Sequence, residues 1–215
     1  MPETSETLEL FSAQVCPYAH RTRLVLAEKN ADFILSEIDL KDKPQRFLDI
    51  SRYGKVPALL HRGHALVEST IVNQYIDDIL PEPALSPSDP SLKARMRIWI
   101  DYFDRIFLDL YYNALVNQDR AKDSEYKEDI QKCLLALEHQ SLAERGDSGP
   151  YWLGNVPTLI DFAIYPFFER FPALSHYRGI DIPDECVKLK AWIDVMSKRQ
   201  SVVEIANSEA FYIER

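Results

Sequence analysis

The chain is short of cysteine, of long apolar runs and of positive charge, and each shortage excludes something. Its three cysteines, Cys16, Cys133 and Cys186, are odd in number and far apart, so neither a disulfide framework nor a zinc site is indicated and no metal is expected. Free thiols suit a reducing, cytoplasmic setting, which is the expectation. No segment approaches the ~20 apolar residues that span a bilayer, and the start, MPETSETLELF, has neither the basic stretch nor the apolar run of a secretory signal. No membrane partner is therefore expected. Lys and Arg number 25 against 34 Asp and Glu, for a formal net charge of -9, and the acids are scattered. That disfavours a nucleic-acid binder, which needs clustered cations against phosphate. There is no internal repeat and no low-complexity tract.

What is present has a clear order. LELFSA reads as a short strand, followed by a helix from about Pro17 to Lys29 with a broad apolar face. Pro17 suits the first helical turn, where its missing N–H has no intrahelical partner. DFILSEIDL reads as a strand, and residues 41–51 as a polar, helical connection. VPALLH is a strand, Gly63 a turn, ALVE a short strand, and residues 69–79 a helix. The order β-α-β-α-β-β-α ends in a hairpin, which must be antiparallel, so the sheet is mixed.

Four prolines then fall within LPEPALSPSDP, a density that neither helix nor strand survives. The expected organisation is an α/β domain over residues 1–80, a proline-rich linker over 81–90 and an all-helical domain over 91–215. Residues 93–115, 124–145, 158–171 and 187–197 all show three-to-four-residue apolar spacing, with a further segment at 201–206. The aromatics there, from Trp99 to Phe171, are mostly core by default.

Several positions carry chemistry. Cys16 sits between a strand and a helix, where free N–H groups and the macrodipole favour a thiolate. Arg21 and Arg23 add positive field unless they point elsewhere, and His20 is a possible partner. Position alone leaves packing and reactivity both open for Cys16. Ala19 stands where a dithiol motif has its second cysteine, so exchange at Cys16 needs an external thiol. Val56, before Pro57, is extended and could pair its backbone with an extended ligand. Ser69 reads first as a helix N-cap, whose N–H and hydroxyl could also grip a carboxylate. Thr158 and Asp161 form a capping-box variant, a folding element. Arg170, on a strongly apolar helix, needs an acceptor or solvent.

Taken together, CPYAHRTRLVL, LKDKP, GKVPALL, VEST and, after the linker, TLIDFAIYPFFERF resemble the glutathione transferase family, most of all its cysteine-using omega class. The resemblance covers nearly the whole chain. It implies a thioredoxin-like N-terminal domain with an all-α C-terminal domain, usually a two-fold homodimer, and glutathione as co-substrate. Residue by residue, it makes Cys16 the nucleophile that forms a mixed disulfide with glutathione. Val56 precedes the family's cis proline, Pro57; Glu68 and Ser69 hold the γ-glutamyl end; Lys43 lies near the glycine carboxylate. Tyr18 joins this glutathione-binding set, and Tyr18, Tyr112, Arg170 and Tyr212 are candidates for an electrophile pocket. Two departures stand out. His20 replaces an acidic residue of mammalian omega proteins, and CPYAHR is also similar to the CPWAHR of glutathionyl-hydroquinone reductases, which are much longer chains. The short stretch after Tyr212 leaves little tail to wall the electrophile pocket.

The activity implied is glutathione-dependent thiol transfer and reduction, with dehydroascorbate, mixed disulfides or glutathionyl adducts as substrate classes. The alternatives are a non-catalytic interaction protein, like the stringent-starvation proteins of this fold, and a conventional conjugating transferase.

Overall fold

The computed structural model describes residues 6–145 and 148–214. The chain divides into two units, Met1–Ser86 and Pro87–Arg215.

The first unit is built on a four-stranded sheet in the order β2-β1-β3-β4, from β1 (Leu8–Ser12), β2 (Phe33–Glu37), β3 (Ala58–His61) and β4 (His64–Val67). β1 pairs parallel with β2 and antiparallel with β3, and β3 and β4 form the antiparallel hairpin. Strand β3 starts at Ala58, two residues later than the apolar run suggests, because Pro57 has no N–H to give the ladder. Leu35, Leu10, Leu59 and Leu66 stand in register across the sheet. Leu10 and Leu59 are fully buried at its centre, whereas Leu35 on the edge strand is half exposed. The hairpin turns on Arg62 and Gly63, both at positive φ, the two-residue geometry that matches strand twist.

Helices α1 (Pro17–Glu28), α2 (Gln45–Ile50) and α3 (Ser69–Ile79) complete the unit. Phe11, Ala19, Phe47, Val56 and Ala58 form a buried cluster against which Cys16 and Val67 pack. Burying a side chain such as Phe47 contributes about 1.5–3 kcal/mol, enough to pin the short α2.

Among its described residues the second unit is helical apart from one isolated bridge, Tyr151 to Gly154. Its helices are α4 (Pro90–Tyr102), α5 (Leu108–Val116), α6 (Asp123–Ala136), α7 (Leu159–Glu169), α8 (Phe171–Arg178), α9 (Val187–Ser197), α10 (Gln200–Val203) and α11 (Glu209–Ile213). Three expected helices are not uniform. Between α4 and α5 the turns widen to a π-helix over Phe103–Phe107, which stacks the two phenylalanine rings 4.7 Å apart in the core. The helix beginning with α6 passes through a π stretch, Leu137–Ser141, into a 3₁₀ turn, Leu142–Arg145. The 158–171 segment breaks at Arg170, because Pro172 lacks the amide needed to continue, and α8 starts afresh. Helices α8 and α11 lie outside the sequence expectation.

The capping box at α7 forms as expected: Asp161 accepts from the Thr158 amide at 2.8 Å. Asp161 does more than cap. Fully buried, it also accepts from the Thr158 hydroxyl, the Trp152 amide and the Trp192 indole N–H. Burial holds its carboxyl above the ordinary aspartate range, and these four hydrogen bonds offset only part of that rise.

Candidate functional site

A cavity of about 280 Å³ opens in the first unit, at the end of the sheet where α1 and α3 begin. That is the small end of the range for small-molecule sites. Five of the residues singled out from sequence line it: Tyr18, Val56, Pro57, Glu68 and Ser69.

Cys16 is not itself among the lining residues; it contacts Val56, which is. It is the N-cap residue of α1, with extended backbone (φ -85, ψ 116), and its carbonyl accepts the first helical bond, from the His20 amide. Its half-buried thiol points at the Val56 carbonyl, Sγ to O 3.8 Å. The other two cysteines are buried differently. Burial pushes the Cys133 thiol up, and burial followed by the nearby Glu138 pushes that of Cys186 up to about 11. Such thiols are poor nucleophiles.

The arginines after Cys16 point elsewhere. Arg23 donates to the Ser12 hydroxyl and to the Ala13 and Gln14 carbonyls, bracing the chain as it leaves β1. Arg21 lies over the Tyr18 ring at 5.2 Å and reaches Ser69 Oγ at 3.4 Å. His20 is buried within α1.

The Val56-Pro57 bond is cis. Immediately upstream, Ser51 grips the backbone of Lys55 twice: its Oγ accepts from the Lys55 amide at 3.0 Å and donates to the Lys55 carbonyl at 2.8 Å. This holds the segment that presents Val56 to the cavity.

At α3 the structure corrects the sequence reading. Ser69 is the first helical residue and not the cap; the cap position is Glu68, which makes no side-chain capping bond. Glu68 has φ 70, a left-handed conformation that costs a residue with a Cβ about 1–3 kcal/mol. The strain turns the chain from β4 into α3 at the cavity wall.

Lys43 is exposed and is not among the cavity-lining residues, whereas Ser51, Tyr53, Lys55 and Val67 are. Sequence reasoning missed these four. Lys55 was within reach of it, as the cation next to Val56-Pro57.

Of the proposed electrophile-pocket residues, Tyr18 lies in the first unit and the rest in the second. There, Arg170 stands over the Tyr212 ring at 5.5 Å, and the Tyr212 hydroxyl donates to Glu169 at 2.6 Å. Tyr112 packs edge-on against Tyr111. Among the described residues no group of three or more His, Cys, Asp or Glu side chains is arranged to hold a metal, and no helix is long and apolar enough to cross a membrane.

Comparison with known proteins places this geometry. The family model for the glutathione S-transferase N-terminal domain matches residues 15–79, and that for the C-terminal domain matches residues 123–194. Glutathione S-transferase U19 of Arabidopsis thaliana is 32% identical over 189 residues, 87% of this chain and 84% of that protein. The chain belongs to the glutathione S-transferase family. Glutathione S-transferase omega-1 of Rattus norvegicus is 31% identical over 199 residues, 92% of this chain and 79% of the rat protein. The crystal structure of glutathione transferase Omega 3C from Trametes versicolor superimposes with a TM-score of 0.86 at 29% identity, covering 95% of this chain and 91% of that one. The first unit of this transferase is thus the thioredoxin-like half, and the second its all-α half.

Proposed function

We propose that this glutathione transferase is a thiol transferase and reductase that works through a mixed disulfide at Cys16. The observation that carries the reading is the 3.8 Å contact between Cys16 Sγ and the Val56 carbonyl, because Val56 also lines the cavity. An extended tripeptide held there would bring its sulfur to the thiol.

The cavity walls match such a ligand in charge. Glu68 offers a carboxylate to the γ-glutamyl ammonium. Ser69, at the start of α3, offers an N–H and a hydroxyl to the adjoining carboxylate. Lys55 replaces Lys43 as the nearer cation for the glycine carboxylate.

In the first step the Cys16 thiolate attacks the glutathione sulfur of a glutathionylated substrate. The substrate–glutathione S–S bond breaks, and the substrate leaves as a thiolate that takes up a proton. A second glutathione, as thiolate, then attacks the glutathione sulfur on Cys16, forming oxidised glutathione and restoring the Cys16 thiolate. Ala19 supplies no internal resolving thiol, so the external one is required. Dehydroascorbate and small mixed disulfides are the substrate classes, a two-fold homodimer the assembly, and the cytoplasm the setting.

Cys16→Ala should lower glutathione-dependent reduction of a mixed disulfide by about 100-fold or more, as expected when a nucleophile is removed. Treatment of the wild type with oxidised glutathione should give one adduct by mass spectrometry, at Cys16. Undiminished activity in Cys16→Ala would sink the assignment. Conjugation is the second reading, supported by the equally similar U-class relative; robust turnover of an aromatic halide by the wild type would favour it.

A further inference from the structure

The two helices that frame the cavity are tied together twice. Near the cavity, Arg21 of α1 reaches Ser69, the first residue of α3. At the far end Lys29, the C-cap of α1, reaches Asp77 in the last turn of α3, Nζ to Oδ1 2.6 Å. Both ties advance by eight residues on each helix, so α1 and α3 run parallel and in step over about 12 Å.

The two ties differ in strength. The Arg21–Ser69 bond is long, at 3.4 Å. Lys29, its side chain fully buried, places its ammonium on Asp77 Oδ1, the Leu80 carbonyl and the Pro83 carbonyl, each at 2.6 Å. Those three bonds use every donor an ammonium has. Asp77 Oδ1 also receives the Leu85 amide at 2.9 Å.

Burying a charged pair is a poor way to gain stability, since a well-packed apolar pair of similar volume does as well or better. What the pair adds is a fixed direction and distance between two helices that apolar packing alone would let slide. Cys16 and Tyr18 ride on the start of α1, Glu68 and Ser69 on the start of α3.

We propose that Lys29 and Asp77 are positioning residues for the glutathione pocket, locking α1 in register against α3 so that Cys16 and Tyr18 face Glu68 and Ser69 at the right spacing. The inference rests on the glutathione reading above. The pair touches no ligand and acts through the two helices.

The test is the double variant Lys29→Met with Asp77→Leu, which removes both charges together and so avoids a lone buried ion. Three quantities are measured: thermal midpoint, glutathione affinity by calorimetry, and the rate of Cys16 alkylation by iodoacetamide. Amide hydrogen exchange is followed in the first turn of α3. In a double variant that melts like the wild type, glutathione affinity should fall about fivefold, the scale on which remote residues tune a site. Alkylation of Cys16 should stay within about twofold, since that thiol's surroundings are local to the start of α1 and to Val56. Exchange at residues 69–72 should rise. Unchanged affinity together with unchanged exchange there would overturn the proposal and leave the pair a purely structural one. If the double variant fails to fold, Lys29→Gln with Asp77→Asn, which also removes both charges but keeps the shape and the bond from Leu85, is read in the same way. If the wild type binds no glutathione, the functional reading fails, and exchange at residues 69–72 alone decides whether the register lock exists.

Discussion

The N-terminus of α7 and those of α1 and α3 meet the same problem in opposite ways. Every helix start leaves backbone donors without intrahelical partners. At α7, Thr158 and Asp161 answer one another, and the same carboxylate gathers Trp152 and Trp192 into a closed, buried knot. At α1 and α3, the cap residues Cys16 and Glu68 make no side-chain capping bond, and a cavity opens beside them. A start whose donors are consumed is a folding device, and one that leaves them facing a cavity is equipped to hold an anion. The contrast explains why a strained Glu68 occurs in the first unit, at a wall of the cavity.

The largest effect that would sharpen this contrast lies in the closed knot. Asp161→Ala strands four buried donors and should destabilise the protein by about 3–5 kcal/mol in denaturant melts. Asp161→Asn, which keeps the shape, should lose less, and a loss below about 1 kcal/mol in both would show that the knot is not a folding element.

A crossed pair of variants tests the two helix starts against each other. Thr158→Ala should lower stability by about 1 kcal/mol. Ser69→Ala should lower stability by less, since Ser69 is not the cap and its hydroxyl takes only the long bond from Arg21, yet raise the KM for glutathione about tenfold, as loss of a hydrogen bond to a charged group does. The reverse pattern would break the comparison.

Acid should act on the first unit through Asp77. Burial pushes its carboxyl up, but its hydrogen bonds, that from Lys29 first, together with the Lys29 charge outweigh burial and hold it below the ordinary aspartate value of 3.8. An acid with a depressed folded pKa contributes stability that is fully present above its unfolded pKa. That contribution is lost as pH falls through the folded value. Thermal midpoints of wild type and Asp77→Asn between pH 7 and pH 3 should therefore converge as the pH drops below about 4. Parallel curves would remove Asp77 from the acid limb.

The smallest effect separates two lysines. Lys55→Met should weaken glutathione binding about threefold to fivefold, and Lys43→Met should change it less than twofold, in keeping with the modest worth of exposed charges. Equal effects would restore Lys43 to the site.

Much of the molecule was legible as sequence because its signals are local. The β-α-β-α-β-β-α order follows from apolar periodicity and turn residues, and the Ser69–Ile79 and Val187–Ser197 helices begin and end where their apolar spacing does. Asp161 answered Thr158 three residues away, a distance that a sequence pattern can encode. The corrections arose where a partner lies far along the chain. Ser69 reads as a cap from sequence because nothing near it announces the left-handed turn at Glu68. Arg21 and Arg23 add field around Cys16 as sequence, yet their guanidinium groups find oxygens on α3 and at the end of β1.

By itself, then, the sequence determined that Cys16 starts a helix, that Ala19 denies it a resolving partner, and which family's motifs surround it. Only the tertiary structure decided that Val56 delivers its carbonyl to the thiol, that Lys55 and not Lys43 lines the cavity, and that Lys29 meets Asp77 across 48 residues of chain. The reason is physical. Periodicity and capping act within a turn or two, whereas the direction a charged side chain takes is set by whichever acceptor the folded backbone brings within its reach.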